Sequence, residues 1–180
     1  MLRDRLLVAA AILTITAAGG ELALAKTNTV TVPMHLIDAN GVGADVGTLT
    51  LSDTRSGLRI KTSLKGLPPG DHGFHMHEKP SCDPAEKDGK MAAGIGAGGH
   101  FDPATTGKHL GPKGDGHKGD LPLLHVDAKG NAKVTLLAPH LMLADVQGKS
   151  FMIHAGGDNY SDQPAPLGGG GARIACGVVQ

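Results

Sequence analysis

Short segments in which apolar and polar residues alternate recur along the chain from residue 30 onward, and a period of two is typical of half-buried β-strands. In the first segment, Val30, Val32, Met34 and Leu36 would share one face, and Asp38-Ala39-Asn40-Gly41 follows with residues suited to a tight turn. Similar segments are predicted at residues 47–52, 57–64, 72–78, 121–127, 132–137, 150–155 and 172–179. Eight short strands, with almost no helical periodicity, predict an all-β barrel or sandwich.

Two stretches interrupt this pattern, residues 79–120 and 156–171. Both are rich in glycine and contain proline. Loops of this length are uncommon in a compact domain unless something orders them. We therefore expect metal ligands, a disulfide or both to hold them against the barrel.

The segment Gly73-Phe74-His75-Met76-His77-Glu78 offers the first metal ligands, because alternate residues of a strand project from one face. His75 and His77 could therefore grip one ion. Five more candidate ligands lie downstream, namely His100, His109, His117, Asp120 and His154. Seven are too many for one tetrahedral ion.

The candidates divide by their setting into two groups. One comprises His75, His77 and His154 from strands, and the other comprises His109, His117 and Asp120 from the long loop. His100 could serve either group, or both, because imidazole has two nitrogens. Imidazoles with one carboxylate and no thiolate suit zinc or copper.

The first 25 residues have the features of an export signal. Arg3 and Arg5 precede an apolar run over residues 6–18, and Ala23-Leu24-Ala25 supplies small residues for cleavage. A run of about 13 apolar residues is short of the roughly 20 that span a bilayer. We expect residues 1–25 to be removed, so that residues 26–180 form one mature domain without a membrane anchor.

Export changes the interpretation of the two cysteines, since exported thiols tend to be oxidised. Cys82 and Cys176 make one pair with none left over, which predicts a Cys82–Cys176 disulfide. The balance of Lys+Arg 17 with Asp+Glu 17 indicates no polyanionic partner. With Phe 3, Tyr 1 and Trp 0 the chain also lacks a stacking platform, which argues against nucleic-acid binding.

Several motifs together resemble the copper/zinc superoxide dismutases, most closely the bacterial periplasmic branch. The resemblance covers essentially the whole mature chain. It is carried by residues 73–78, Gly99-His100-Phe101-Asp102-Pro103, residues 108–112, His117-Lys118-Gly119-Asp120, residues 154–160 and residues 171–179. It implies a flattened eight-stranded Greek-key barrel with two long functional loops. Both monomers and homodimers occur in that branch.

The resemblance also implies which residues hold which ion, one copper and one zinc per subunit. The copper ligands would be His75, His77, His100 and His154. The zinc ligands would be His100, His109, His117 and Asp120. His100 would then be a bridging imidazolate. Asp158 would link His75 and His109 by accepting from their outer ring nitrogens.

The implied activity converts two superoxide anions to dioxygen and hydrogen peroxide by alternating reduction and oxidation of copper, with zinc structural. Arg173 would dock the anion and His100 would deliver a proton. Lys108, Lys113 and Lys118 are candidates for steering the substrate.

Four other histidines, His35, His72, His125 and His140, are expected to be structural or at the surface. The alternative function is a noncatalytic periplasmic carrier of copper and zinc on the same fold. Arg173 and the complete ligand set favour the enzyme.

Overall fold

The computed structural model describes residues 28–180. The predicted signal peptide and its cleavage site at residues 1–25 lie outside the described part of the chain. Described residues are mostly β structure, so the predicted all-β class is confirmed. None of the helical segments within residues 28–180 has the length and apolar character needed to cross a bilayer.

The described chain forms eleven strands and one short helix. The strands are β1 (Thr29–Asp38), β2 (Gly41–Thr54), β3 (Gly57–Leu64), β4 (Gly70–His72), β5 (Phe74–His77), β6 (Ala85–Lys87), β7 (Lys90–Ala92), β8 (Leu124–Val126), β9 (Thr135–Ala138), β10 (Ser150–His154) and β11 (Arg173–Val178). The helix α1 spans Leu143–Val146, and 3-10 turns cover Ile95–Ala97 and Pro166–Gly169. Each of the eight predicted strand segments overlaps an observed strand.

Seven strands pair in the order β5-β10-β11-β1-β2-β3-β9. All of their pairings are antiparallel, and β4 pairs with β8 in a second, two-stranded sheet. The period-two pattern explains how each strand faces the interior. In β3, for example, Leu58, Ile60 and Leu64 are buried while Arg59 and Lys61 are exposed.

The structure differs from the predicted strand pattern in two places. The segment predicted at residues 72–78 is broken at Gly73 into β4 and β5. The long loop at residues 79–120 contains a small hairpin of β6 and β7 that the alternation pattern did not predict. This hairpin has no buried residue, which explains why its sequence shows no apolar alternation.

The core is aliphatic, with Phe74 and Phe151 as its fully buried aromatic residues. Their ring centroids lie 5.9 Å apart. A second, smaller apolar cluster surrounds the disulfide and contains Ile37, Cys82, Ala97, Met152 and Cys176.

The Cys82–Cys176 disulfide is present, with the two Cα atoms 5.7 Å apart. It ties the loop at residues 79–120 to β11. The second long loop is held at its start, where the Gly73 N–H donates to the Gly156 carbonyl at 2.7 Å. Both loops are therefore fastened beside β5 and β10.

Candidate metal centre

Strand β5 places two histidines on one side of the sheet. His75 and His77 alternate with Phe74 and Met76, and the latter two belong to the main apolar core. His154 comes from the neighbouring strand β10, which pairs with β5. All three histidine side chains are buried, so the fold itself gathers them.

His100 lies at the centre of the histidine cluster. Its backbone forms an isolated antiparallel bridge with His77, which brings the long loop onto β5. The ring centroid of His100 lies 3.9 Å from that of His75, 5.1 Å from His77 and 5.3 Å from His117. The His109 ring is 5.4 Å away. One imidazole is thus close to ligands from both groups.

Six buried ring nitrogens in the described chain form no hydrogen bond of regular geometry, although those of His109 and His117 lie 2.9 and 3.4 Å from oxygens of Asp120. The six nitrogens are His75 Nδ1, His77 Nε2, His100 Nε2, His109 Nδ1, His117 Nδ1 and His154 Nε2. Leaving so many polar atoms buried and unpaired is costly unless they meet another ligand. A cluster of imidazole nitrogens is the donor set that zinc and copper favour, so these residues fit metal ions.

The candidate ligands form two groups, and within each group the potential ligand atoms all lie within 4.8 Å of one another. The first is His75, His77, His100 and His154. The second is His75, His100, His109 and Asp120, and His117 Nδ1 lies 3.4 Å from Asp120 Oδ1 beside it. His75 is close to the second group, but it can offer only its Nδ1 to an ion, because its Nε2 is 2.8 Å from Asp158.

His100 differs from His75 because both of its ring nitrogens face candidate ligand sites. Its Nε2 has no hydrogen-bond partner among the described residues, and the residue belongs to the four-histidine group. Its Nδ1 lies 3.0 Å from Asp120 Oδ1 in the second group.

The outer nitrogens of the other histidines are held by acceptors. Asp158 accepts from His75 Nε2 through Oδ2 and from His109 Nε2 through Oδ1, each at 2.8 Å. His77 Nδ1 lies 3.0 Å from the Gly98 carbonyl oxygen. Such contacts set the ring orientation and leave the inner nitrogen free to bind a metal.

Burial lowers the pKa of the histidines in the four-histidine group. It lowers the pKa of His100 to about 4 and that of His154 to about 2, and it holds the pKa of His77 well below its usual value. The pKa of His75 is lowered as well, despite its bond to Asp158. Neutral imidazole is the metal-binding form, so this half of the cluster is ready to ligate at neutral pH.

The second group has the opposite electrostatic character. Burial opposes protonation of His109, but the close Asp120 carboxylate beside Nδ1 and the hydrogen bond from Nε2 to Asp158 outweigh it and raise the pKa of His109 to about 9. Burial likewise disfavours the ionised carboxylates, yet hydrogen bonds from the histidines hold the pKa of Asp120 and Asp158 well below the usual range. Negative charge is therefore concentrated in this half, where it would stabilise a divalent cation.

Arg173 lies at the start of β11, opposite His154 in the strand pairing. Its guanidinium donates to the Gly94 and Gly98 carbonyls, the latter at 2.7 Å. Burial lowers the pKa of Arg173 below its ordinary value, but an arginine keeps its charge at neutral pH. Because both carbonyls lie in the loop that Cys82 anchors, the disulfide loop orients the arginine.

The structure brings six of the seven candidate ligands into the two groups, places His117 beside Asp120, and sets Asp158 and Arg173 next to the cluster. The steering candidates differ from one another. Lys108 and Lys113 are exposed, whereas Lys118 donates to Asp145 at 2.6 Å. A paired lysine contributes less to the long-range field than a free one.

The remaining histidines lie outside the two ligand groups. His125 is exposed and lies 2.7 Å from Asp71, and His140 is exposed in a loop. His35 is half-buried on β1, and His72 is buried with its ring between two carbonyl oxygens.

Two supporting groups were not predicted from the sequence. The Gly98 carbonyl receives both His77 and Arg173, and Asp162 accepts the backbone N–H of His109 at 2.9 Å. A backbone carbonyl leaves no residue-type signal, and Asp162 is one of several acidic residues in polar loops. Only the folded arrangement identifies them.

The fold and site define a class of protein, an all-β protein with a buried histidine cluster whose residues fit metal ions. The copper/zinc superoxide dismutase (SODC) family matches residues 46–179. The chain belongs to this family. It is accordingly a copper- and zinc-dependent oxidoreductase that acts on superoxide.

Relatives and solved structures agree with this assignment. The chain is 54% identical over 151 residues to superoxide dismutase [Cu-Zn] of Brucella abortus, which covers 83% of this chain and 87% of that protein. It is 51% identical over 171 residues to superoxide dismutase [Cu-Zn] of Escherichia coli K12, covering 94% and 96%. The solved Cu/Zn superoxide dismutase from Brucella abortus superposes with a TM-score of 0.84 at 53% identity, covering 85% of this chain and 100% of that one.

Proposed function

We propose that the chain is an exported superoxide dismutase with a copper site at His75, His77, His100 and His154 and a zinc site at His100, His109, His117 and Asp120. The observation that carries this assignment is the set of six unpaired ring nitrogens, with His100 facing both groups. The reaction is 2 O₂⁻ + 2 H⁺ → O₂ + H₂O₂.

Copper, when bound, supplies the one-electron chemistry that oxidises one superoxide and reduces the second. Arg173 binds the small anion through a permanent charge and fixed N–H donors, since its Nη1 and Nη2 are already oriented by Gly94 and Gly98. His100 would carry a proton on Nε2 only while that nitrogen does not bind copper, and it would deliver this proton to the hydrogen peroxide product.

His109, His117 and Asp120 hold the zinc half, whose role is structural. Asp158 couples the halves, because one carboxylate receives His75 from the copper side and His109 from the zinc side. Removing Asp158 would free both rings at once.

Export and maturation belong to the same proposal. Residues 1–25 would be a cleaved signal, and residues 26–180 would form the dismutase domain in the periplasm. The Cys82–Cys176 bridge supports this location, because disulfides persist in oxidising compartments. A metal carrier on the same fold would have no use for an oriented anion-binding arginine.

A dismutation assay on the mature protein, loaded with copper alone, zinc alone or both, tests the proposal. We expect activity only with copper. Arg173→Ala should lower kcat/KM by about 10- to 100-fold, because a hydrogen bond to a charged group contributes about 1.5–3 kcal/mol. Arg173→Lys should recover only part of this loss, since ammonium lacks the planar pair of donors.

Full activity without copper would refute the assignment of the redox site. Unchanged kcat/KM in Arg173→Ala would remove the anion-docking role of Arg173, whereas binding of both metals with no dismutation at any loading would favour the carrier.

A further inference from the structure

We propose that Tyr160 is a positioning residue that holds Asp158 between His75 and His109. This inference rests on the function proposed above, because it concerns how the two metal sites are coupled. No feature of the ligand set requires a tyrosine at this position, so its role follows from its contacts alone.

The Asp158 side chain is fully buried, and its carboxylate accepts three hydrogen bonds. Oδ2 receives His75, and Oδ1 receives both His109 at 2.8 Å and the backbone N–H of Tyr160 at 2.7 Å. Asp158 belongs to a long loop rather than to a strand. Its position therefore depends on what fixes that loop near residue 160.

Tyr160 adopts a left-handed backbone with a φ of 58°, which is unfavourable for a residue other than glycine. The Tyr160 N–H donates to the carboxylate two residues earlier, and the left-handed φ sets the direction that the Tyr160 side chain takes from that N–H. A non-glycine residue keeps such a conformation only when its surroundings enforce it.

The Tyr160 side chain is held in place by contacts at two points. Its hydroxyl oxygen accepts the Leu123 N–H at 2.9 Å, immediately before β8. Its ring lies against Gly111, where an added Cβ would come within 2.6–2.8 Å of the ring atoms. Gly111 is two residues beyond His109, so the ring closes directly over the zinc half.

Tyr160 thus connects the loop at residues 156–171 to the barrel through its hydroxyl group. Through its ring it contacts the loop at residues 79–120. Loss of the ring should release Asp158 from its two histidines without removing any metal ligand. The expected defect is faster zinc loss and a changed copper environment, rather than a missing site.

The test compares the copper- and zinc-loaded protein with Tyr160→Phe, Tyr160→Ala and Asp158→Asn. Zinc release is followed with a colorimetric chelator, and copper geometry with visible absorption and electron paramagnetic resonance. Outer-shell partners typically change metal affinity by about 10- to 100-fold, so Tyr160→Ala should speed zinc release by about tenfold. Tyr160→Phe keeps the ring on Gly111 and should show a smaller increase. Both should shift the copper spectrum in the same direction as Asp158→Asn.

Thr105→Ala is the matched control, because Thr105 also has a left-handed backbone, with a φ of 50°, in an exposed part of the other loop. It should leave zinc release and the copper spectrum unchanged. If Tyr160→Ala does not fold, the Phe variant decides the result by the same two readouts.

The inference would be overturned if the Tyr160 variants released zinc at the wild-type rate while Asp158→Asn released it rapidly. The proposed function would then remain intact. The inference would also be overturned by a lower unfolding temperature of the metal-free variants with both metal readouts unchanged, which would indicate a merely structural residue. A wild-type protein that fails to bind both metals would overturn the two proposals together.

Discussion

His72 shows how far an argument from strand parity reaches at the scale of single residues. Its parity relative to His75 and His77 predicts a side chain turned away from the ligand groups, and the structure buries it elsewhere. One ring nitrogen lies 2.7 Å from the carbonyl oxygen of His154, and the other lies 2.8 Å from that of Pro68. The residue therefore links the loop before β4 to the backbone of a candidate copper ligand.

Replacing His72 with leucine should lower the free energy of unfolding by about 2 kcal/mol, because the buried carbonyl of His154 and the partly buried carbonyl of Pro68 lose their polar contact while the volume is nearly kept. Denaturant unfolding of the metal-free protein measures this loss, and the copper absorption band should shift as His154 relaxes. His125→Leu is the control on the paired strand β8, where the exposed ring should make the change no larger than about 0.5 kcal/mol. Equal losses in the two variants would contradict a linking role for His72.

The candidate ligands could be named from the sequence because residue type and spacing carry their chemistry. His75 and His77 follow from strand alternation, and His154 lies in the strand predicted at residues 150–155. The other four are polar residues in a loop that otherwise lacks a reason to be ordered. The contacts of His72 were not predictable, because His154 is far away in the sequence and its acceptor is a backbone atom. Residue-scale prediction therefore reaches side-chain chemistry and stops at long-range backbone contacts.

At the scale of elements, α1 connects the barrel to the loop at residues 79–120. The Leu143 N–H donates to Asp53 of β2 at 2.7 Å, and Asp145 accepts both the Met142 N–H at 2.9 Å and Lys118 at 2.6 Å. Lys118 follows His117 directly. The helix thus braces the segment that carries two candidate zinc ligands.

A double-mutant cycle with Lys118→Met and Asp145→Asn measures this brace. We expect a coupling energy of about 0.5–1 kcal/mol, since the pair is partly exposed, with side chains 32% and 23% accessible. The coupling should shrink in about 1 M salt, where charges are screened within about 3 Å. Denaturant unfolding of the four proteins at low and high salt gives both values. A coupling that is zero at low salt would show that the contact does not stabilise the loop.

Short elements were the ones that the sequence did not predict. α1 spans Leu143–Val146, which is about one turn and too short to show a helical period. The β6–β7 hairpin is exposed and shows no apolar alternation. By contrast, β1 to β3 are long and buried on one face, so their pattern stands out.

For the whole molecule, two kinds of structure meet at the metal sites. The barrel has a continuous aliphatic core, whereas the loops at residues 79–120 and 156–171 depend on the disulfide, on Asp158 and on the histidine cluster. Their ordering was predictable from their length together with their ligands. That the Asp158 carboxylate joins the two loops was predicted only from the family resemblance.

Removing both metals should therefore loosen the molecule unevenly. A bound ion at a thousand times its Kd contributes about 4 kcal/mol to the folded state, so chelation should lower the free energy of unfolding by several kcal/mol. Hydrogen exchange should show where the stability is lost. Amides at residues 100–120 and 156–171 should lose protection, since their order depends on ligands, while β1, β2 and β3 should keep most of theirs because apolar packing holds them. Remetallation should restore the loops, and the intact Cys82–Cys176 bridge should keep the segment near Cys82 protected throughout. A uniform loss across strands and loops would instead mean that the metals stabilise the barrel as one cooperative unit.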